Sequence, residues 1–342
     1  MIDATLLLAL VVLLSLTCYA VLGGADYGGG VWDLLATGKT ADRQRATIAH
    51  AIGPVWEANH VWLIVAIVVV FTGFPLAFST LSTFLHVPLL LVCVGIVLRG
   101  SAFVFRAYGP EDPRHERFWG RIFAVASTTT PLFLGVIVGA ITEGHLPAAA
   151  HGPFTTVFVR PWLTPFALSV GVFALVLFGY LAAVYLTLEA HDAEERAAFR
   201  LRALTSGAAA GALAATVLAL ATSDVRRALI ASYWAVPLHF ATAVSATAAF
   251  AFLWLEQYGL ARIAAVAQVS LILWGWALAQ YPYAIRPYLT LEAAAAPADV
   301  QVILLQVLGV GAVILIPALL FLFAIFGPRG RQDSHRQARA LD

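Results

Sequence analysis

Residues 53–74 read GPVWEANHVWLIVAIVVVFTGF. A short polar and aromatic opening runs directly into an unbroken apolar stretch. A helix that crosses a bilayer needs about 20 mostly apolar residues, whereas a membrane strand shows short alternating segments. The stretch is therefore predicted to be a membrane helix. Pro54 suits its first turn, because the N–H that proline lacks would be unpaired there anyway. Trp56, Glu57, Asn59, His60 and Trp62 then sit at the mouth of the span. A carboxylic acid beside so much apolar surface is costly, and ionisable groups in spans mark ion or proton paths, ligand sites or partner contacts.

The rest of the chain follows the same pattern. It has 342 residues, 61% hydrophobic and 11% charged, with mean hydropathy +0.87. A soluble fold of this length has no means of burying that much apolar surface. Nine spans are predicted, near 5–25, 55–74, 79–98, 122–142, 163–187, 203–222, 236–255, 260–280 and 302–325. The expected fold class is all-α and polytopic, a single transmembrane domain over 1–326, because only helices and closed barrels satisfy the backbone in lipid. Residues 327–342 form a polar, basic tail. The first span lacks a basic stretch before it and is expected to be retained rather than cleaved. Cys18 and Cys93 lie in apolar spans, define neither a disulfide framework nor a metal spacing, and read as small hydrophobes.

Basic residues set the orientation. With the N-terminus outside, sixteen of the twenty Lys and Arg fall in inner connections and the tail. These include Lys39, Arg43, Arg45, the group from Arg99 to Arg121, and Arg196 to Arg202. The expected topology is N-out and C-in. The segments 99–121 and 189–202 then read as solvated inner connectors, the second extending its flanking spans as helix, with Asp192 and Arg196 on one helix face. Tyr281, Tyr283, Tyr288, Trp162 and Trp234 fall near outer span ends, where aromatic belts form.

Two segments hold the candidate chemistry. At the helix start, Glu57 is either an acid stabilised by the helix N-terminus or a protonatable group at an inner proton intake. At the inner end of span one, residues 23–30 read GGADYGGG. Five glycines in eight residues permit close helix approach or an irregular backbone, with Asp26 either capping a packing turn or relaying protons. Topology places Asp26 and Glu57 at the same membrane face. No strand precedes the glycines, so they do not make a nucleotide-binding loop. His60, His86 and His239 lie in or near spans, where histidine either ligates haem iron or bonds a neighbouring helix. No Cys-x-x-Cys-His stands in the chain. In span four, Ser127-Thr128-Thr129-Thr130-Pro131 suggests a bend with hydroxyls satisfying freed carbonyls.

On GGADYGGGVWDLL and GPVWEANHVWLI, together with their spacing of about thirty residues, the chain resembles subunit II of the cytochrome bd quinol oxidases. The resemblance implies two four-helix bundles plus one peripheral helix, in a haem-free subunit packed on a haem-bearing subunit I. It implies a complex that oxidises a quinol, reduces O2 to water without pumping, and holds two haems b and one haem d in subunit I. This chain would bind no cofactor or metal and carry no catalytic residue. It would supply a proton path through Asp26 and Glu57, supported by Trp56, Asn59, His60 and Trp62. The implied setting is the bacterial inner membrane, with small single-span accessory subunits as further partners and no nucleic acid. Many members carry a further acid where this chain has Leu22. The alternative is a proton-coupled secondary transporter using Asp26 and Glu57 as coupling acids.

Overall fold

Long apolar runs in this chain are punctuated by proline, glycine and Ser/Thr/Asp caps, and the helices begin and end at those marks. The computed structural model describes residues 3–38, 40–52, 56–110, 112–147 and 150–326; the side chains of 56–58, 107, 113 and 323–326 lie outside that description. The expected helix start at Gly53-Pro54 and the tail 327–342 also lie outside the described residues.

In chain order the elements are α1 (Ala4–Leu35), α2 (Ala41–Ile52), α3 (Trp56–Gly73), α4 (Pro75–Phe84), α5 (His86–Tyr108), α6 (Pro113–Glu143) and α7 (Phe154–Phe158). There follow α8 (Pro165–Glu189), α9 (Ala193–Leu220), α10 (Ser223–Ala231), α11 (Ala235–Trp254), α12 (Tyr258–Gln280), β1 (Tyr283–Ile285), β2 (Leu289–Thr290), α13 (Leu291–Ala294) and α14 (Ala298–Phe326). Caps explain several starts: Asp3 accepts from Thr5 N, Thr164 from Ala167 N, and Asp192 from Glu195 N, each filling an unpaired backbone donor. Among the described residues, eight helices are long and apolar enough to cross a membrane. A ninth candidate is the pair Asn59–Gly73 and Pro75–Phe84, bent by 112°. Pro75 has no N–H with which to continue α3, so the chain turns there. The freed carbonyl of Gly73 accepts from Ala296 N at 2.8 Å.

Two sets of helices share α1 and α6 as their seam. α1 packs on α3 and α6, and α5 packs on α6; α8 packs on α9 and α12, and α11 on α12; α1 and α6 both lie along α8. α14 touches α1 and α3 and leaves Val307, Val310, Val313 and Leu320 exposed, as suits a helix facing lipid. One apolar core joins Leu8, Val69, Phe84, Val136 and Trp162 with Ile285 and Leu289 of the β1–β2 hairpin. A second joins Tyr180, Leu181, Ala203, Leu253 and Ala265.

This packing corrects some sequence expectations and agrees with others. Arg99 is not in a connector: α5 carries it within the helix, 1% exposed. Only residues 109–112 separate α5 from α6. Asp192 reaches past Arg196 to pair with Arg43 of α2 at 2.8 Å. Arg196 instead donates to the carbonyls of Thr187 and Ala190, unpaired acceptors at the end of α8. Trp162 is buried and donates to Phe158 O at 2.7 Å, whereas Tyr281 and Tyr288 stay exposed as a belt requires. Pro131 lies inside an unbroken α6, and Thr128, Thr129 and Thr130 each bond a carbonyl of the preceding turn. Cys18 and Cys93 are free thiols.

Candidate functional site

The GGADYGGG segment forms neither a turn nor an irregular backbone. α1 runs through it, and the glycines serve close approach. A Cβ on Gly28 would lie 2.0 Å from the carbonyl oxygen of Phe178 on α8, and one on Gly30 would lie 2.2 Å from Ser127 Cβ on α6. The same helix, α1, carries Asp26, between Gly24 and Gly28, into the bundle. Asp26 is 8% exposed.

Asp26 is held by the motif helix. Asn59 Nδ2 on α3 donates to Asp26 Oδ2, and approaches Leu22 O at 3.5 Å. The contact crosses between the two segments that were singled out in sequence. Arg99 completes the cluster from the third helix. Its Nε donates to Ser127 Oγ at 3.2 Å, and its guanidinium carbon stands 4.8 Å from the Tyr27 ring centroid and 5.2 Å from that of Phe123. Such cation–π contacts strengthen when shielded from water. Its charge acts on Asp26, Tyr19, Tyr27 and His60.

Aromatic residues line the same space. The Tyr19 and Tyr27 hydroxyls lie 3.0 Å apart, and their rings flank His60 at 5.9 and 6.2 Å between centroids. Trp62 packs on the Tyr19, Tyr27 and Phe178 group. Asn59 Oδ1, Trp62 Nε1 and Arg99 Nη2 are buried without a hydrogen-bond partner among the described residues. Orphaned buried polar atoms cost free energy and are few in folded proteins.

Two turns beyond Asp26, Asp33 is again buried. It pairs with Arg45 at 3.6 Å and Arg106 at 3.4 Å, and Arg106 reaches Glu116 at 3.8 Å. These contacts tie α1 to α2, α5 and α6 at one end of the bundle. Thus the structure brings Asp26, Asn59, His60 and Trp62 together and adds Arg99. The side chains of Trp56 and Glu57 lie outside the described residues. The backbone places Glu57 two residues before Asn59, at the start of α3. Arg99 and Asp33 were missed in sequence. Arg99 had a signal: Ala102-Phe103-Val104-Phe105 resumes the apolar run after it, which an arginine in a connector would not show.

Histidine is the remaining candidate ligand. His86 Nδ1, at the start of α5, lies 2.8 Å from Thr83 O of α4, and His239 Nδ1 lies 2.6 Å from Ala235 O within α11. At His60 the Tyr19 and Tyr27 rings occupy the space beside the imidazole. Among the described residues no group of three or more His, Cys, Asp and Glu is placed to hold a metal.

Comparison with known proteins agrees with this architecture. The chain is 29% identical over 124 residues to "Cytochrome bd ubiquinol oxidase subunit 2" of Bacillus subtilis (strain 168), covering 36% of each chain. It is 27% identical over 173 residues to "Cytochrome bd-I ubiquinol oxidase subunit 2" of Escherichia coli (strain K12), covering 50% of this chain and 45% of that one. The matches thus span less than half of those relatives' length. A chain in the structure of bd oxidase from Geobacillus thermodenitrificans superposes with TM-score 0.75 at 21% identity, over 95% of this chain and 99% of that one, which shows the shared fold. The protein is a multi-pass protein of the bacterial inner membrane. A sequence model described as cytochrome bd terminal oxidase subunit II matches residues 4–326, and the chain belongs to that family.

Proposed function

We propose that this chain is the haem-free subunit II of a quinol:O2 oxidoreductase, and that it delivers chemical protons while holding a haem-bearing subunit I in shape. The observation that carries the proposal is the buried Asp26, bonded by Asn59 from the motif helix and set in the field of Arg99. Family membership supports the oxidase setting over the transporter alternative. Reduction of one O2 to two waters consumes four protons, and a site closed to water needs a route for them.

In this reading the chain lies N-out and C-in, with nine spans and α14 as the peripheral helix. Glu57 stands at the cytoplasmic mouth and Asp26 behind it. Asn59 orients the Asp26 carboxyl, and Arg99 balances it when it is ionised. Tyr19, Tyr27 and His60 extend the polar lining inward. The haems, when bound in subunit I, supply the redox chemistry; this chain's residues hold and move protons at carboxyl oxygens. Quinol and O2 are substrates of the complex, and small accessory subunits are further partners.

Glu57→Gln and Asp26→Asn are each expected to slow oxygen reduction by about tenfold to a hundredfold, at or below the low end of what a positioned proton-transfer group contributes. Haem content should stay near wild type, and Glu57→Asp should be milder than Glu57→Gln. Oxygen uptake of the purified complex, with haem measured by its spectrum, provides the check. Unchanged turnover would remove the residue from the route. Loss of haem together with assembly would assign it a structural role.

A further inference from the structure

At one end of the second helix set, α9 and α11 diverge. They leave a groove of about 530 Å³ lined by Ala197, Arg200, Leu201, Leu204 and Trp254. The polar end of this groove is built around one guanidinium. Arg200 Nη1 donates to Glu256 Oε1 at 2.5 Å. Glu256 follows the end of α11 with φ at +60°, a left-handed conformation that favours glycine and that side chains rarely adopt. From there Glu256 pairs with Arg200 beside the groove. One of the five guanidinium donors is taken by this bond, and Nη2 and Nε are left to form the planar fork that matches a phosphate. Three nearby acids are engaged elsewhere: Asp192 and Glu194 pair with Arg43, and Glu195 is buried beside His191.

The rest of the groove is apolar and open to its surroundings. Of its lining residues, Leu201 is 62% exposed and Trp254 76%. Arg200 lies near the start of α9 and Trp254 is the last residue of α11, so each stands near the end of a helix long and apolar enough to cross a membrane. Basic pockets between membrane helices near such ends recognise lipid headgroups, and tryptophan favours the same region.

We propose that this groove is a binding site for an anionic phospholipid. Its phosphate accepts from Nη2 and Nε of Arg200, and one acyl chain lies along Leu201 and Leu204 against Trp254. The site is separate from the Asp26 cluster and does not depend on the proton route.

The test is native mass spectrometry of the purified protein with its co-purifying subunits, exchanged into micelles holding phosphatidylglycerol or phosphatidylcholine. Wild type should retain one phosphatidylglycerol about fivefold more than phosphatidylcholine, the factor that one basic residue at an anionic surface is worth. Arg200→Ala should abolish the preference. Leu201→Trp, which fills the groove from an exposed position and keeps the charge, should lower retention of the lipid. Arg227→Ala, an exposed charge at the far end of the bundle, should change nothing. Equal retention of the two lipids by wild type, or unaltered retention in both groove variants, overturns the proposal. So does lost assembly with unaltered lipid in Leu201→Trp, which would show a protein partner in the groove.

Discussion

Arg99→Leu is expected to prevent stable assembly of the first helix set. Arg99 is 1% exposed within α5, bonded to Ser127 and stacked on Tyr27 and Phe123. Leucine fills much of the volume but leaves the Asp26 carboxyl without its balancing charge and Ser127 Oγ without its donor. Leaving a buried polar group without its partner costs about 1–3 kcal/mol, and the lost contacts with the Tyr27 and Phe123 rings add to it. That is a large share of a net stability of about 5–15 kcal/mol. The measurement is the melting temperature of the detergent-solubilised protein and the yield of complex. Arg99→Lys should recover part of the loss, since it keeps the charge but lacks the planar fork. The double variant Asp26→Asn with Arg99→Leu should be less damaged than Arg99→Leu alone, as coupled neighbours are not additive. If the double variant is as unstable as the sum of the two, Arg99 acts through packing and not through Asp26.

Gly28→Ala is expected to part α1 from α8. The added carbon would sit 2.0 Å from Phe178 O, 2.5 Å from Phe178 C and 2.7 Å from Ala182 Cβ. The first two are backbone, so no side chain can swing aside and α8 must move as a body. Overpacking of this kind costs about 1–3 kcal/mol and more where the backbone is involved. The movement would also stretch the bond from Trp32 Nε1 to Gly179 O, now 2.7 Å. Gly211→Ala is the matched control: nothing lies within 4 Å of its added carbon, so removing a helical glycine there should be neutral or stabilise by about 0.5–1 kcal/mol. Thermal melting of the two variants side by side decides the matter. A Gly28→Ala protein that melts with Gly211→Ala would show that α1 and α8 slide freely.

The two motifs were legible in sequence because their residue types are improbable in oil. Asp26 and Glu57 stand out in a chain with 11% charge, and the glycines around Asp26 announce a close helix contact. Their partner Asn59 was in view as part of the second motif, but its bond to Asp26 joins residues 33 apart and has no local signature. Arg99 was assigned to a connector because its charge was counted towards topology, and a positive-inside count does not distinguish a buried arginine from a solvated one. Likewise the face shared by Asp192 and Arg196 gave way to contacts with α2 and with carbonyls ending α8, since a free helix-end acceptor competes with a nearby acid for the same guanidinium.

Local sequence determined the class of the fold. Runs of about 20 apolar residues dictate membrane helices, because lipid gives the backbone no other way to pair its polar groups. Tertiary structure alone decided that α1 continues through its glycines, that α3 breaks before Pro75 and turns by 112°, and that Arg99 enters the bundle beside Asp26. Each of these depends on which backbone or charge arrives from a distant helix. Helix formation is set within one or two turns of chain, whereas the balancing of a buried charge is set by neighbours that the chain brings together only when it packs.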